Sequence, residues 1–228
     1  MRIAEIFRSR QGEGLLTGTE SLFVRVSGCN LRCWYCDTPY TSWEPEGDEW
    51  SVDAILAEVA QRDCHHVVIT GGEPMLFDEL VLLSRILSEN GHHITVETAG
   101  TRYLPVHCDL MSISPKMANS TPSVERSARW HVQHEQRRLT PDVVRRLVNE
   151  YAYQLKFVVD QPEDVKEIQA YLAGMPEVRA DRVLMMPQGT TLDELSAKTA
   201  WLQSVCEELG FRLCPRKHIE WYGAVRGT

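Results

Sequence analysis

The apolar positions of the chain fall into short blocks that alternate between two periods. Residues 22–27, 66–70, 94–98, 110–114, 155–160 and 183–186 are compact apolar runs, and each predicts a strand buried on both faces. Between them, 52–62, 79–90, 142–151, 163–172 and 191–209 carry apolar residues every three or four positions, which predicts helices. The helix ends are punctuated. Ser51 is placed to cap the first, Gly91 to end the second, and Pro141 to open the third. Thr191 with Glu194 forms a capping box before the last, which Gly210 closes. Residues 211–214 predict a final short strand. Buried strands alternating with helices predict right-handed βαβ units, a parallel sheet and an α/β fold.

The unusual polar residues collect at one place in that pattern. In parallel β/α folds, functional groups gather at the carboxyl ends of strands. Cys29 follows the first strand and Gly71-Gly72-Glu73-Pro74 the second. Glu97-Thr98 ends the third, Ser114-Pro115-Lys116 follows the fourth, and Pro187-Gln188-Gly189 follows a later one. Only 117–140 breaks the alternation. It is polar and rich in Ser, Arg and His, and reads as a surface insertion or lid on a single domain spanning 1–228.

Composition narrows the class. No apolar run approaches the length of a membrane span, and seven cysteines, an odd number, suit a reducing compartment; we expect a cytoplasmic protein with no membrane association. A formal charge of −8 opposes nucleic-acid binding, which needs phosphate-neutralising bases. It leaves room for a small anionic ligand gripped by a few local cations.

Three of the cysteines, Cys29, Cys33 and Cys36, lie within eight residues. Thiolates this close favour an iron–sulfur cluster over zinc, although Cys64 with His65 and His66 offers a second pair for zinc. Three protein ligands leave one position open, and open positions are where substrates and cofactors bind. Cys64, Cys108, Cys206 and Cys214 have no ligand spacing and read as packed thiols. Arg25 and Lys156 each sit inside an apolar strand, where an unpaired charge is costly, so each requires an acidic partner. For Arg25 the candidates are a substrate carboxylate and Glu20.

The run Cys29-x-x-x-Cys33-x-x-Cys36, with Tyr35 before the last cysteine, resembles the signature of the radical S-adenosylmethionine enzymes. Gly71-Gly72-Glu73-Pro74 resembles their second motif. Glu5-Ile6-Phe7, Gln11-Gly12-Glu13-Gly14, Cys36-Asp37-Thr38, Ser114-Pro115-Lys116 and Arg226-Gly227-Thr228 narrow the similarity to the 7-carboxy-7-deazaguanine synthase family. The resemblance implies a partial parallel β/α barrel and a carbon–nitrogen lyase of queuosine biosynthesis. Cys29, Cys33 and Cys36 would ligate three irons of a [4Fe–4S] cluster, leaving the fourth to S-adenosylmethionine. Tyr35, Cys36, Asp37, Gly72, Glu73, Ser114, Pro115, Lys116, Met186, Pro187, Gln188 and Gly189 would contact that cofactor. Arg10, Gln11, Gly12, Arg25, Thr70 and Glu97 would bind 6-carboxy-5,6,7,8-tetrahydropterin, and Thr38 would hold Mg²⁺ together with substrate oxygens and water. Reductive cleavage of the cofactor would start a ring contraction that loses ammonia. The implied partners are a flavodoxin- or ferredoxin-type electron donor and a second copy of the chain in a homodimer.

One departure from that family stands out. Ala99 occupies the place where asparagine is common after Glu-Thr. Two other functions use parts of the same pattern: a radical activase of a partner protein, and a non-catalytic zinc or electron-carrier module. The activase has no reason to carry Gln11-Gly12-Glu13-Gly14, and the module leaves Gly71 to Pro74 unexplained.

Overall fold

Nine strands form one open sheet in the computed structural model, which describes residues 1–228. They are β1 (Arg2–Arg10), β2 (Glu20–Val26), β3 (Asp48–Glu49), β4 (His66–Gly71), β5 (His93–Thr98), β6 (Leu110–Ile113), β7 (Tyr153–Val159), β8 (Val183–Pro187) and β9 (Arg212–Leu213). Their spatial order is β3-β1-β2-β4-β5-β6-β7-β8-β9. From β2 to β9 every pairing is parallel, so the carboxyl ends of those strands share one rim. The sheet does not close on itself, which gives the partial barrel expected from the motifs.

The expectation of a parallel sheet needs one correction. β1 runs antiparallel to both β2 and β3, so the sheet is mixed at that edge. The sequence did not announce β1 because its run, Arg-Ile-Ala-Glu-Ile-Phe-Arg-Ser-Arg, interleaves charges with apolar residues. An edge strand with solvent on one side tolerates that pattern.

Eight helices follow in chain order: α1 (Pro39–Ser42), α2 (Val52–Ala60), α3 (Glu79–Glu89), α4 (Val124–Arg137), α5 (Pro141–Glu150), α6 (Pro162–Ala173), α7 (Leu192–Leu209) and α8 (Lys217–Tyr222). The predicted caps are in place. Ser51 accepts the amide of Ala54, and Thr191 and Glu194 form a reciprocal box at the start of α7. α3 buries Leu80, Leu83 and Leu87, and α5 buries Val144, Leu147 and Val148, both at one-face spacing. These faces cover the sheet, and β6, β7 and β8 are buried at every position. The short α1, α8 and β3, and the longer α4 inside the 117–140 segment, were not visible as periodic runs.

The turn after β4 is what lets the rim become a site. Gly71 has φ +120°, and a Cβ built there would lie 2.1 Å from the carbonyl of Val26. A Cβ on Gly72 would lie 2.1 Å from the carbonyl of Gly28. No side chain fits at either position. The two glycines therefore press the β4 turn against the start of the cysteine loop.

Candidate active site

A cavity of about 430 Å³ opens at the carboxyl rim of the sheet. Cys29, Cys33 and Cys36 line it, and all three are free thiols. Burial pushes the thiols of Cys29 and Cys33 up to about 12, so as bare thiols they are inert. No three His, Cys, Asp or Glu side chains gather tightly enough to chelate a single ion. Three thiols lining one cavity without converging on a single point suit a cluster, in which each sulfur takes its own iron. The alternative zinc pairing does not assemble, because Cys64 precedes β4 and lies at the opposite, amino end of the sheet.

Along the same cavity runs a chain of charged and polar contacts. Thr70 donates its hydroxyl to Glu97 at 2.6 Å. Glu97 lies 3.8 Å from the ammonium of Lys156, which hydrogen-bonds to Glu13. Arg216 then donates to Glu13 at 3.0 Å, to the carbonyl of Gly189 at 2.7 Å, and to Asp37. Seven separate segments, from the loop after β1 to the C-terminal region, meet in this line. Burial by itself would raise the Glu13 carboxyl, but Lys156, Arg216 and His218 hold it well below the usual carboxylate range. Burial opposes the charge of Lys156, and Glu13 and Glu97 outweigh it, so the ammonium is held firmly protonated.

The lining as a whole is cationic. Arg10, Arg25, Lys116, Lys156, Arg216 and Arg226 face the cavity against three carboxylates, Glu13, Asp37 and Glu97. A net positive cavity in a chain of charge −8 is a local device that suits an anionic ligand.

Most of the residues singled out in the sequence meet here. Arg10, Gln11, Gly12, Arg25, Thr70 and Glu97 line the cavity, as do Tyr35, Cys36, Asp37, Thr38, Gly72, Ser114, Lys116, Met186 and Gln188. Glu73, Pro115, Pro187 and Gly189 do not reach its wall. Glu73 is fully buried behind it. Its oxygens accept from the hydroxyl of Thr98 (2.8 Å) and from the amides of Ala99 (2.8 Å) and Met75 (3.1 Å). Ala99 thus contributes its backbone amide where no side-chain contact is available. Gly189 acts through its carbonyl, held by Arg216.

The acid that pairs with Arg25 within the chain is not Glu20. The Arg25 guanidinium donates to Glu5 at 2.7 Å, while Glu20 pairs with Arg8 at 2.9 Å. Glu13, Arg216 and His218 carried no signal by spacing. Pro215-Arg216-Lys217-His218 does follow the last strand at its carboxyl end, which is the cue that was available.

An open, largely parallel β/α sheet with three spaced thiols at its carboxyl rim is the architecture of the radical S-adenosylmethionine enzymes, and residues 23–124 match the family model of the radical SAM superfamily. The 7-carboxy-7-deazaguanine synthase of Rhodopirellula baltica is 45% identical over 99% of this chain and 88% of its own length. That of Halobacterium salinarum is 45% identical over 95% of this chain and 88% of its own. The chain belongs to the 7-carboxy-7-deazaguanine synthase family. Among solved structures, QueE from Escherichia coli is similar with a TM-score of 0.72, covering 95% of this chain and 94% of that one; at 24% identity the likeness is one of fold.

Proposed function

We propose that the chain converts 6-carboxy-5,6,7,8-tetrahydropterin to 7-carboxy-7-deazaguanine with loss of ammonia. The product is the substrate less ammonia, so no net oxidant is consumed. The observation that carries this reading is the meeting of three spaced thiols and an excess of cations in one cavity. Membership of the synthase family, at 45% identity over 99% of the chain, supports it.

A [4Fe–4S] cluster on Cys29, Cys33 and Cys36 supplies one-electron reduction of bound S-adenosylmethionine. The chain's own residues bind, orient and exclude water. On the cofactor side are Tyr35, Asp37, Gly72, Ser114, Lys116, Met186 and Gln188, braced from behind by Glu73, Pro115, Pro187 and Gly189. On the substrate side Arg25 offers its free nitrogens to the pterin carboxylate, with Arg10, Gln11 and Gly12 beside it. Glu97 accepts from the amino and ring N–H groups, and Thr70 and Lys156 fix its position. Phe23, Leu31 and Val158 line the same cavity. Their apolar surfaces displace water and strengthen every charge–charge contact within.

The reading includes Mg²⁺ at Thr38, where a lone hydroxyl needs substrate oxygens and water to complete the shell. It also includes a flavodoxin- or ferredoxin-type donor, a homodimer and a cytoplasmic setting, all supported by the family resemblance. No helix is long and apolar enough to cross a membrane.

The test is anaerobic incubation of reconstituted protein with dithionite, S-adenosylmethionine and carboxytetrahydropterin, followed by mass analysis. The expected products are 7-carboxy-7-deazaguanine and ammonia, one of each for every pterin consumed. Recovery of unchanged pterin from brown, cofactor-cleaving protein would overturn the substrate assignment. A colourless zinc protein would overturn the reaction class.

A further inference from the structure

We propose that the outer face of α4, together with Trp34 of the cysteine loop, is the docking surface for an acidic electron-transfer protein. The inference rests on the function proposed above, which needs an electron from outside.

The charge of this segment runs against that of the chain. Residues 117–140 hold Arg126, Arg129, Arg137 and Arg138 against Glu125 and Glu135, in a chain of net charge −8. Arg126, Arg129 and Arg137 are exposed. Large apolar side chains are exposed among them: Val132 at 52% and Trp34 at 42%. Apolar anchors ringed by arginine are the composition of a protein-docking patch rather than of a solvated helix face.

The patch is fastened to the ligand loop. Arg126 donates to the carbonyl of Trp34 at 2.9 Å and stacks 3.9 Å over Trp43. The indole of Trp34 donates to the carbonyl of Asn119 at 2.6 Å. Arg137 reaches the carbonyl of Asn30 at 3.5 Å. Asn30 follows Cys29 and Trp34 follows Cys33, so the covalent neighbours of two cluster ligands are held at this surface. An electron arriving at Trp34 has one peptide unit to cross before reaching a ligand residue. In the transfer the donor loses one electron and the cluster gains one; no bond is made and no proton moves.

Charge decides the occupant. A second copy of the chain related by a two-fold axis would set Arg126, Arg129 and Arg137 against their own counterparts, and like charges oppose that contact. A donor with an acidic face is attracted, with an on-rate that falls as salt rises.

The test compares turnover driven by a reduced acidic flavodoxin with turnover driven by dithionite. The variants are Arg129→Glu and, separately, Arg129→Glu/Val132→Glu; Arg126 and Arg137 are left in place because they brace Trp34 and Asn30. The expected result is a rise of roughly tenfold or more in the flavodoxin concentration giving half-maximal rate, and a flattened salt dependence for the double variant. Dithionite-driven turnover should stay within about twofold of the parent. Unchanged flavodoxin dependence, equal loss with both reductants, or burial of this face by a second copy would each overturn the docking proposal. A parent protein that is silent with dithionite would overturn the function on which it rests, and the docking proposal with it.

Discussion

Glu13 and Lys156 form an ion pair although 143 residues separate them in the chain. The pair joins the loop after β1 to the middle of β7, and Arg216 closes it from the C-terminal side. Glu13 therefore serves two buried cations and Lys156 leans chiefly on one carboxylate. Removing one member of a buried pair leaves the other uncompensated, at a cost of about 3–5 kcal/mol. Glu13→Gln should sit at the top of that range because it strands both Lys156 and Arg216. Lys156→Met should cost less, since Glu13 keeps Arg216. Urea midpoints of the two variants give the order, and a larger loss for Lys156→Met would contradict this division of the network.

Arg25 allows a cleaner separation of binding from folding. Glu5, its partner, also accepts from Tyr40 at 2.8 Å and lies 3.3 Å from Arg226. Arg25→Ala thus leaves no orphaned carboxylate, and the fold should lose no more than about 2 kcal/mol. The lost contact to the pterin carboxylate is a charged hydrogen bond, which corresponds to a fall of roughly 10- to 100-fold in kcat/KM for the pterin. Cofactor cleavage without substrate should change by less than about threefold. Parallel loss of both activities would move Arg25 from the substrate side to the scaffold.

These contacts mark how far the sequence could be read. The thiol spacing and the Gly71-Gly72 turn are set by neighbours along the chain, so they were legible, as were the caps at Ser51 and Thr191. Arg216 was not, because its importance comes from meeting Glu13, Asp37 and Gly189 in space. β1 was hidden by its interleaved charges. α4 was hidden for a different reason. The side it turns inward carries half-buried Ser127, Trp130 and His131 and fully buried His134, with no aliphatic residue among them, and the apolar Val132 faces water. A search for aliphatic periodicity reads such a helix inside out. The partner of Arg25 was misjudged because Glu5 belongs to the strand that went unseen.

Thr38 provides a direct test of the metal assignment. Its side chain lines the cavity and meets little of the protein: the hydroxyl of Thr41 at 3.3 Å and the sulfur of Cys36 at 3.8 Å. A side chain so lightly engaged is free to take a cation. Thr38→Ala should leave stability nearly unchanged, within about 0.5 kcal/mol. The stimulation of turnover by added Mg²⁺ should shrink, and more Mg²⁺ should be needed to reach it. An identical Mg²⁺ titration in variant and parent would take Thr38 out of the metal shell.

The hold of α4 on the cysteine loop depends on pH. His134 is fully buried; its Nδ1 accepts the amide of Arg32 at 3.1 Å and its Nε2 lies 2.8 Å from the hydroxyl of Ser120. That hydroxyl donates to the carbonyl of Met117, so Nε2–H must donate to Ser120 and the ring is neutral. Burial lowers the imidazole to about 4; Glu135 favours the charged form, while Arg138, Lys116 and His131 oppose it. The unfolded chain takes up this proton near pH 6.5 and the folded chain only near 4. Stability from His134 is thus complete above about pH 6.5 and declines as pH falls toward 4, by up to about 3 kcal/mol. Glu13, held low in the fold, adds a second decline that begins only below about pH 4.5. His134→Asn costs stability at pH 7 but should shrink the first decline, leaving the part that burial of His66 and His218 contributes, and keep the second. Urea midpoints of the cluster-free protein between pH 4 and 8 measure both, and a parent midpoint that stays level from pH 7 to 5 would show that His134 is not held neutral by the fold.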